Sequence, residues 1–231
     1  MGQKCRDRAA EKRRRGGYCL SGRLAAAAGC RLLHRHKLQK ICGTDDHQGV
    51  AARAAEVQYA SLEDLFAAAE AKSEAPFLVL CDGVEDPHNL GAIIRTAEAA
   101  GAHGVIIPKR RGVGLTATVA KTSAGAVEYM PVVRVANIVS TIEELKQKGL
   151  WIFCADMDGQ PWCSTDMGGP IGIVVGAEGS GVSRLTKEHC DFVVSLPMNG
   201  QVNSLNASVA AAIVIYEAVR QRNGLPSFHK K

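Results

Sequence analysis

From Phe77 onward, short runs of apolar residues alternate with segments in which apolar residues recur every three to four positions. Continuous runs are typical of buried strands, and the three-to-four spacing is typical of helices. Strands that alternate with helices predict an α/β fold, a parallel sheet with helices on both faces. The predicted strands are 77–81, 104–107, 129–135, 151–154, 171–175 and 192–196, and the predicted helices are 62–72, 89–100, 115–124, 138–148 and 206–221.

The chain is predicted to have four parts. Residues 1–44 show no clear periodicity and form a basic N-terminal segment to which no stable fold can be assigned. Residues 45–76 form a bridge that contains the first helix, started by Ser61. The α/β domain occupies residues 77–224, and residues 225–231 form a short tail.

The net charge of +5 conceals an uneven distribution along the 231 residues. Residues 1–40 contain 12 of the 28 Lys and Arg residues but only two of the 23 acidic residues, Asp7 and Glu11. A basic arm fits a segment that contacts an anionic polymer. A disordered Arg-rich leader would explain the uneven charge equally well. A transit peptide is less favoured because Asp45 and Asp46 follow directly.

Eight cysteines are present, without a C-x-x-C pair or a Cys/His cluster of metal-ligand spacing, so no metal site is predicted. Cys81 and Cys154 lie within apolar runs and are expected in the core. Reduced thiols in a cytoplasmic protein are expected, since no secretory signal is recognised. No apolar run approaches the ~18 residues of a membrane span, so no membrane-spanning protein is expected.

Ligands of open α/β sheets bind beside the carboxyl ends of the strands, and polar residues gather in three loops there. In the loop after Asp82, Asn89 is expected to cap the following helix. Arg95 lies about 120° from it around the helix axis, so the two could flank one pocket. The alternative is a capping Asn and an unrelated surface Arg.

The second loop has the pattern G-x-x-G-x-G from Gly176 to Gly181, with Glu178 inside it. Glycines after a buried strand let the backbone approach a ligand, but the spacing differs from that of a dinucleotide-binding loop. A tight structural turn is the alternative. In the third loop, two Asn and two Ser crowd the start of the last helix, which needs only one of them as a cap: Asn203, Ser204, Asn206 and Ser208.

Together the three loops resemble, in order, the three motifs of the SPOUT-class, TrmH-type RNA 2′-O-methyltransferases. The matching patterns are D-x-x-x-D-P-x-N-x-G-A-I-x-R-T-A, V-V-G-A-E-G-x-G and S-L-N-x-S-V-A-A-A-I. The resemblance covers about residues 45–224. The segments 47–50, 86–89 and 195–198 look most like the RlmB branch, which methylates a guanosine ribose in large-subunit (23S) ribosomal RNA.

This resemblance implies a deep C-terminal trefoil knot that binds S-adenosylmethionine, an RNA substrate, and a homodimer formed through the knot and the last helix. It implies no metal. The family's active-site residues correspond to Asn89, Arg95, Glu178, Ser204 and Asn206. Its cofactor contacts correspond to Gly176, Leu196 and Leu205, with Gly181 and Met198 from the same loops. RlmB-like enzymes carry an N-terminal RNA-binding domain that is not recognisable before His47, so residues 1–44 are either a truncated or divergent remnant of it or a sequence artefact.

The resemblance assigns the central catalytic work to Arg95. Because a guanidinium retains its proton, we expect Arg95 to grip an RNA phosphate and the developing oxyanion, while a phosphate or water accepts the proton. Other functions remain open. They are a transfer-RNA methyltransferase of the same family, a nicotinamide- or flavin-dependent enzyme suggested by the glycine loop, and a non-catalytic RNA-binding assembly factor suggested by the basic arm.

Overall fold

The computed structural model describes residues 17–19, 32–43, 45, 47, 58–201 and 204–226. It divides into two compact units, Met1–Glu56 and Val57–Lys231. In the first unit, strands β1 (Gly17–Cys19) and β2 (Leu32–His34) pair antiparallel, and helix α1 (Arg35–Cys42) follows. Strands of three residues are too short to produce a periodic signal, which is why the sequence pattern predicted no fold here.

The second unit contains a six-stranded, wholly parallel sheet in the order β5-β4-β3-β7-β6-β8. This confirms the predicted α/β class. The strands are β3 (Phe77–Asp82), β4 (Gly104–Pro108), β5 (Val132–Val135), β6 (Trp151–Pro161), β7 (Ile171–Gly176) and β8 (Phe192–Ser195). The helices are α2 (Leu62–Ala71), α3 (Pro87–Ala99), α4 (Ala117–Thr122), α5 (Ile138–Gln147), α6 (Arg184–His189) and α7 (Ala207–Arg222), with a 3₁₀ turn at Ala126–Glu128.

Side chains that alternate along β3 divide the core into two layers. Val79 and Cys81 belong to the layer that includes residues of α3 and α7, and Leu78 and Leu80 belong to the layer that includes residues of α2 and α5. Burial, reinforced by the neighbouring Asp82 carboxylate, raises the pKa of the Cys81 thiol to about 12. Cys81 is therefore a protonated core residue, as predicted.

Helix α2 begins where the sequence placed its start. The Ser61 hydroxyl accepts a hydrogen bond from the Asp64 N–H, and the Asp64 carboxylate accepts one from the Ser61 N–H. This reciprocal pair satisfies two N–H groups that a helix start otherwise leaves free. Leu65 is fully buried, and α2 belongs to the second compact unit, which begins at Val57.

Two predicted elements are shorter than expected. Helix α4 starts at Ala117 rather than Leu115, because Thr116 caps it and the Leu115 N–H donates to the Tyr59 hydroxyl. Strand β5 starts at Val132 rather than residue 129, because the Tyr129 and Met130 N–H groups donate back to the Ala126 carbonyl of the 3₁₀ turn.

In the second unit, helix α6 and the second half of strand β6 were not predicted. The six residues of α6 are too few to show a helical period. Strand β6 extends to Pro161 through polar residues, which continue its pairing with β8 across an irregularity between Ala155 and Gln160. Among the helices of the described part of the chain, none combines the length and apolar character of a membrane span.

Neutral His103, directly before β4, connects the amino end of that strand to the amino end of β3. Its Nδ1 accepts a hydrogen bond from the Phe77 N–H (3.0 Å), so the proton is on Nε2, which donates to the Glu74 carboxylate (3.2 Å). The side chain is fully buried, and burial is the main cause that lowers its pKa below the ordinary 6.5. Protonation at Nδ1 would break the bond to Phe77.

We therefore expect part of the stability of this unit to depend on pH. Because the unfolded chain binds the His103 proton more readily, stability is complete above about pH 6.5 and declines as the pH falls below that value. His103→Asn keeps an acceptor for the Phe77 N–H but cannot titrate. Urea unfolding between about pH 7 and about pH 5 should show a shallower loss in this variant than in the parent, and equal slopes would contradict the assignment.

Candidate active site

The first two polar loops meet at the carboxyl ends of neighbouring strands. Asp82, the last residue of β3, pairs with Gly176, the last residue of β7. The Asp82 carboxylate also accepts a hydrogen bond of 2.9 Å from the Ser183 N–H, just beyond the glycine-rich loop. The loops are therefore joined by the sheet register and by a side chain that the sequence pattern had not singled out.

Asn89 does not cap its helix, contrary to the sequence-based prediction. The cap is Asp86, whose carboxylate accepts from the His88 N–H, and Pro87 is the first helical residue. Proline suits this position because it lacks an N–H that would go unsatisfied there. Asn89 is consequently the third helical residue, only 5% exposed, and its side chain is available to other partners.

Those partners come from the other two loops. The Asn89 Nδ2 donates to Glu178 Oε2 over 3.0 Å, and the Asn89 Oδ1 accepts from Asn206 Nδ2 over 2.9 Å. A longer contact of 3.5 Å joins Asn206 Nδ2 to Glu178 Oε1. Residues up to 117 positions apart in the chain thus form one hydrogen-bonded cluster, which we call the Asn–Glu–Asn cluster (Asn89, Glu178 and Asn206).

Asn206 also caps α7, as expected for one of the four polar residues in this loop. Its Oδ1 accepts from the N–H groups of Ser208 (3.0 Å) and Val209 (3.4 Å). The cap leaves only Nδ2 available to the cluster, which fixes the direction of the side chain. The helix start and the cluster therefore depend on the same residue.

The glycine-rich loop is a tight turn that presents Glu178. Ala177 and Gly181 exchange two backbone hydrogen bonds of 3.0 Å, and Gly179 and Gly181 have positive φ angles of 87° and 66°. A Cβ at Gly176 would lie 2.0 Å from the Gly181 carbonyl carbon. These glycines are therefore explained by a tight turn, which was the alternative to a ligand-binding loop in the sequence analysis. The turn leaves the Glu178 side chain exposed.

The remaining predicted residues lie around this edge or away from it. Ser204 and Leu205 are exposed directly before Asn206, whereas Leu196 and Met198 are half-buried in the segment after β8. Leu196 packs against the core layer that contains α3 and α7. Asn203 lies outside the described residues.

Arg95 is not part of the cluster within one chain. It lies six residues after Asn89, about 9 Å farther along α3. The Arg95 side chain is exposed, whereas Asn89 is buried. It makes no hydrogen bond or ion pair with any other described residue. Over the same described residues, no three His, Cys, Asp or Glu side chains lie close enough together to hold a metal ion.

The order of the three loops agrees with a family-level match. The model of the SpoU rRNA Methylase family matches residues 76–216, which include the whole Asn–Glu–Asn cluster. The chain belongs to the SpoU rRNA methylase family. It is therefore a member of the SpoU/TrmH group of RNA methyltransferases, whose cofactor is S-adenosylmethionine.

Two relatives illustrate the range of this SpoU family. YacO of Bacillus subtilis (strain 168), which its name assigns to the TrmH family of tRNA/rRNA methyltransferases, is 53% identical over 190 residues, 82% of this chain and 76% of its own. RlmB of Ralstonia nicotianae, a 23S rRNA (guanosine-2′-O-)-methyltransferase, is 48% identical over 207 residues, 88% of this chain and 82% of its own.

Solved SpoU and TrmH structures have the same fold. AviRb of Streptomyces viridochromogenes in complex with AdoMet superposes with a TM-score of 0.65 at 25% identity, over 92% of this chain and 93% of that one. A TrmH/SpoU tRNA-modifying enzyme of A. aeolicus has a TM-score of 0.59 at 30% identity, over 65% of this chain and 77% of its own.

Proposed function

We propose that this protein transfers a methyl group from S-adenosylmethionine to the ribose 2′-hydroxyl of a guanosine in 23S ribosomal RNA. The observation that carries the proposal is the Asn–Glu–Asn cluster, which joins the three family motifs at one edge of the sheet. The choice of guanosine ribose in 23S RNA is supported by the resemblance to the RlmB branch and by the 48% identity to a protein of that name.

The residues around the cluster suit the cofactor chemically. S-adenosylmethionine combines an apolar adenine face with a positively charged sulfonium and ammonium. Leu205 is 41% exposed, Met198 is half-buried, and Glu178 presents a carboxylate nearby on the same edge. We assign Gly176, Gly181, Leu196, Met198 and Leu205 to cofactor binding. When bound, the cofactor supplies an electrophilic methyl group, so the reaction needs no metal.

The residues of the chain then have to orient the ribose and stabilise the oxygen that is methylated. Glu178, Ser204 and Asn206 are proposed to hold the loops and position the ribose, with Asn89 bridging Glu178 and Asn206. Arg95 is proposed to grip an RNA phosphate and the developing oxyanion with its planar fork of donors. A phosphate or a water molecule would accept the hydroxyl proton.

Because Arg95 lies apart from the cluster of its own chain, we propose a homodimer in which it serves the partner's site. Helix α7 exposes an apolar stripe at helical spacing, formed by Val209 (48% exposed), Ile213 (37%) and Tyr216 (49%). Helix α3, which carries Arg95, packs in the same layer as α7. An interface centred on this stripe would cover apolar surface and bring α3 close to the partner.

Three further parts of the proposal rest on the family resemblance. The segment from β7 to α7 is proposed to form a trefoil knot, residues 1–44 to contact RNA as a basic arm, and the enzyme to act in the cytoplasm. Transfer RNA is the alternative substrate, because the 53% identical relative is named for both tRNA and rRNA.

The test combines cofactor binding with methyl transfer. Calorimetric titration with S-adenosylmethionine and, separately, with NADH should show binding of the first only. Tritiated methyl groups should then appear in ribosomal RNA taken from a strain that lacks this protein, and not in its transfer RNA. Binding of NADH instead would favour a redox enzyme, and RNA binding without transfer would favour an assembly factor.

A further inference from the structure

A strongly basic turn lies beside the candidate active site and has no part in the cluster. Lys109, Arg110 and Arg111 follow β4 directly, at the carboxyl edge of the sheet, and all three are exposed. Within the described residues, none of the three forms an ion pair with an acidic side chain. We call residues Lys109–Arg111 the basic turn.

The first residue of the basic turn is anchored through both of its backbone groups. The Lys109 N–H donates to the Val135 carbonyl (2.7 Å), and the Arg134 guanidinium donates to the Lys109 carbonyl (3.1 Å). Arg134 also lies over the Tyr59 ring, 5.5 Å from its centre, and the Tyr59 hydroxyl accepts from the Leu115 N–H. The backbone at the start of the basic turn is therefore held in place without any ligand.

The basic turn is adjacent to the two loops that form the site. The Val113 N–H donates to the Val84 carbonyl (3.0 Å). A Cβ at Gly83 would lie 3.9 Å from the Arg111 carbonyl oxygen and 3.5 Å from the Ala177 Cβ. Gly83 thus lies between Arg111 and the turn that presents Glu178.

Arg111 occupies a backbone conformation that an arginine rarely adopts. Its φ is +57°, in the left-handed region, which costs energy for a side chain of this size. Such conformations persist where the surrounding structure enforces them, and they often accompany binding sites. Here the backbone is held on both sides of Arg111, at Lys109 by the bonds to Val135 and Arg134 and at Val113 by the bond to Val84.

We propose that the basic turn binds phosphates of the RNA that flank the target nucleotide; this inference rests on the proposed function. Arginine side chains pair with phosphate through two parallel hydrogen bonds. Three cations exceed what the single carboxylate of S-adenosylmethionine could use. The carboxylates of Asp82 and Asp86 are engaged by the N–H groups of Ser183 and His88, and over the described residues no carboxylate forms an ion pair with the three cations.

The double variant Arg110→Gln/Arg111→Asn tests the inference, because asparagine tolerates the left-handed conformation. Binding of a fluorescein-labelled RNA hairpin is measured by anisotropy over a range of salt concentrations. Loss of two phosphate contacts should weaken binding about tenfold or more and flatten the plot of log affinity against log salt by about 1.4 to 1.8. The affinity for S-adenosylmethionine should not change.

A matched control removes two positive charges at the opposite edge. Lys72 and Lys148 precede β3 and β6 and so lie at the amino ends of the strands. Lys72→Gln/Lys148→Gln should retain the affinity and salt dependence of the parent. A second test variant, Lys109→Gln/Arg110→Gln, leaves the strained Arg111 backbone untouched and should behave like the first.

Unchanged affinity and slope in both test variants, or an equal loss in the control, would overturn the inference. This readout requires no turnover, so it is separable from the proposed function. If the parent protein binds RNA through the basic turn but transfers no methyl group, only the proposed reaction is contradicted. If the parent methylates RNA and the variants bind RNA with the affinity of the parent, only the inference about the basic turn is contradicted.

Discussion

Replacement of Arg95 by lysine is expected to lower methyl transfer about 100-fold or more while leaving the affinity for S-adenosylmethionine unchanged. Lysine keeps the positive charge but loses the planar fork that can grip a phosphate and an oxyanion together. Loss of one donor at a developing oxyanion commonly costs about 10²–10³-fold in rate, and a loss of that size is predicted here. Single-turnover transfer of tritiated methyl groups and calorimetric titration of the cofactor measure the two quantities separately.

A suitable control is Arg184→Lys, since the Arg184 side chain is 90% exposed on α6 and pairs with Glu188 in the next turn of the same helix. It should keep the activity of the parent. Full activity in Arg95→Lys would show that the guanidinium fork is not needed.

Complementation tests whether Arg95 acts across the proposed dimer. Co-expressed Arg95→Lys and Glu178→Gln chains should form mixed dimers that contain one intact site, if Arg95 of one chain serves the cluster of the other. Random association would make about half the dimers mixed, so about a quarter of the parent activity should return. No recovery above the two separate variants would mean that Arg95 serves its own chain or that the dimer differs.

Gly176→Ala is expected to abolish cofactor binding and to destabilise the second compact unit. The new Cβ would lie 2.0 Å from the Gly181 carbonyl carbon and 2.2 Å from the Val182 nitrogen, both backbone atoms that cannot rotate away. The turn between Ala177 and Gly181 would have to open, which moves Glu178. Overpacking of this kind costs about 1–3 kcal/mol, and a lower urea midpoint should report it.

Gly169→Ala is the matched control. A Cβ at Gly169 has no neighbour within 4 Å, and the residue is not among those with a positive φ. Its stability and cofactor affinity should stay close to those of the parent. If Gly176→Ala binds S-adenosylmethionine normally, the tight turn does not shape the cofactor site.

The strands of the sheet could be predicted because their signal is local. The continuous apolar runs of β3, β4 and β7 are buried on both faces, and a short run of this kind between two helical segments is typical of a central parallel strand. Strand β6 was underestimated because its second half, residues 155–161, is polar and pairs with an edge strand. The short helix α6 left no period to detect.

The site was only partly predictable. Motif order identified all three residues of the cluster, but the contacts among them depend on distant loops meeting at the sheet edge. The position of Asn89 was misjudged because Asp86-Pro87 is itself a helix start, and this dipeptide was a signal that the sequence offered. The angle of about 120° between Asn89 and Arg95 followed from helix geometry, but the sequence could not show that Asn89 is the buried residue of the two and Arg95 the exposed one.

The most direct test of the central claim is the chemical position of the transferred methyl group. Ribosomal RNA from a strain lacking this protein is incubated with the enzyme and labelled S-adenosylmethionine, digested to nucleosides, and analysed by mass spectrometry. The account predicts label in 2′-O-methylguanosine alone. Label on a nucleobase, or RNA that stays unlabelled although the cofactor binds, would contradict it.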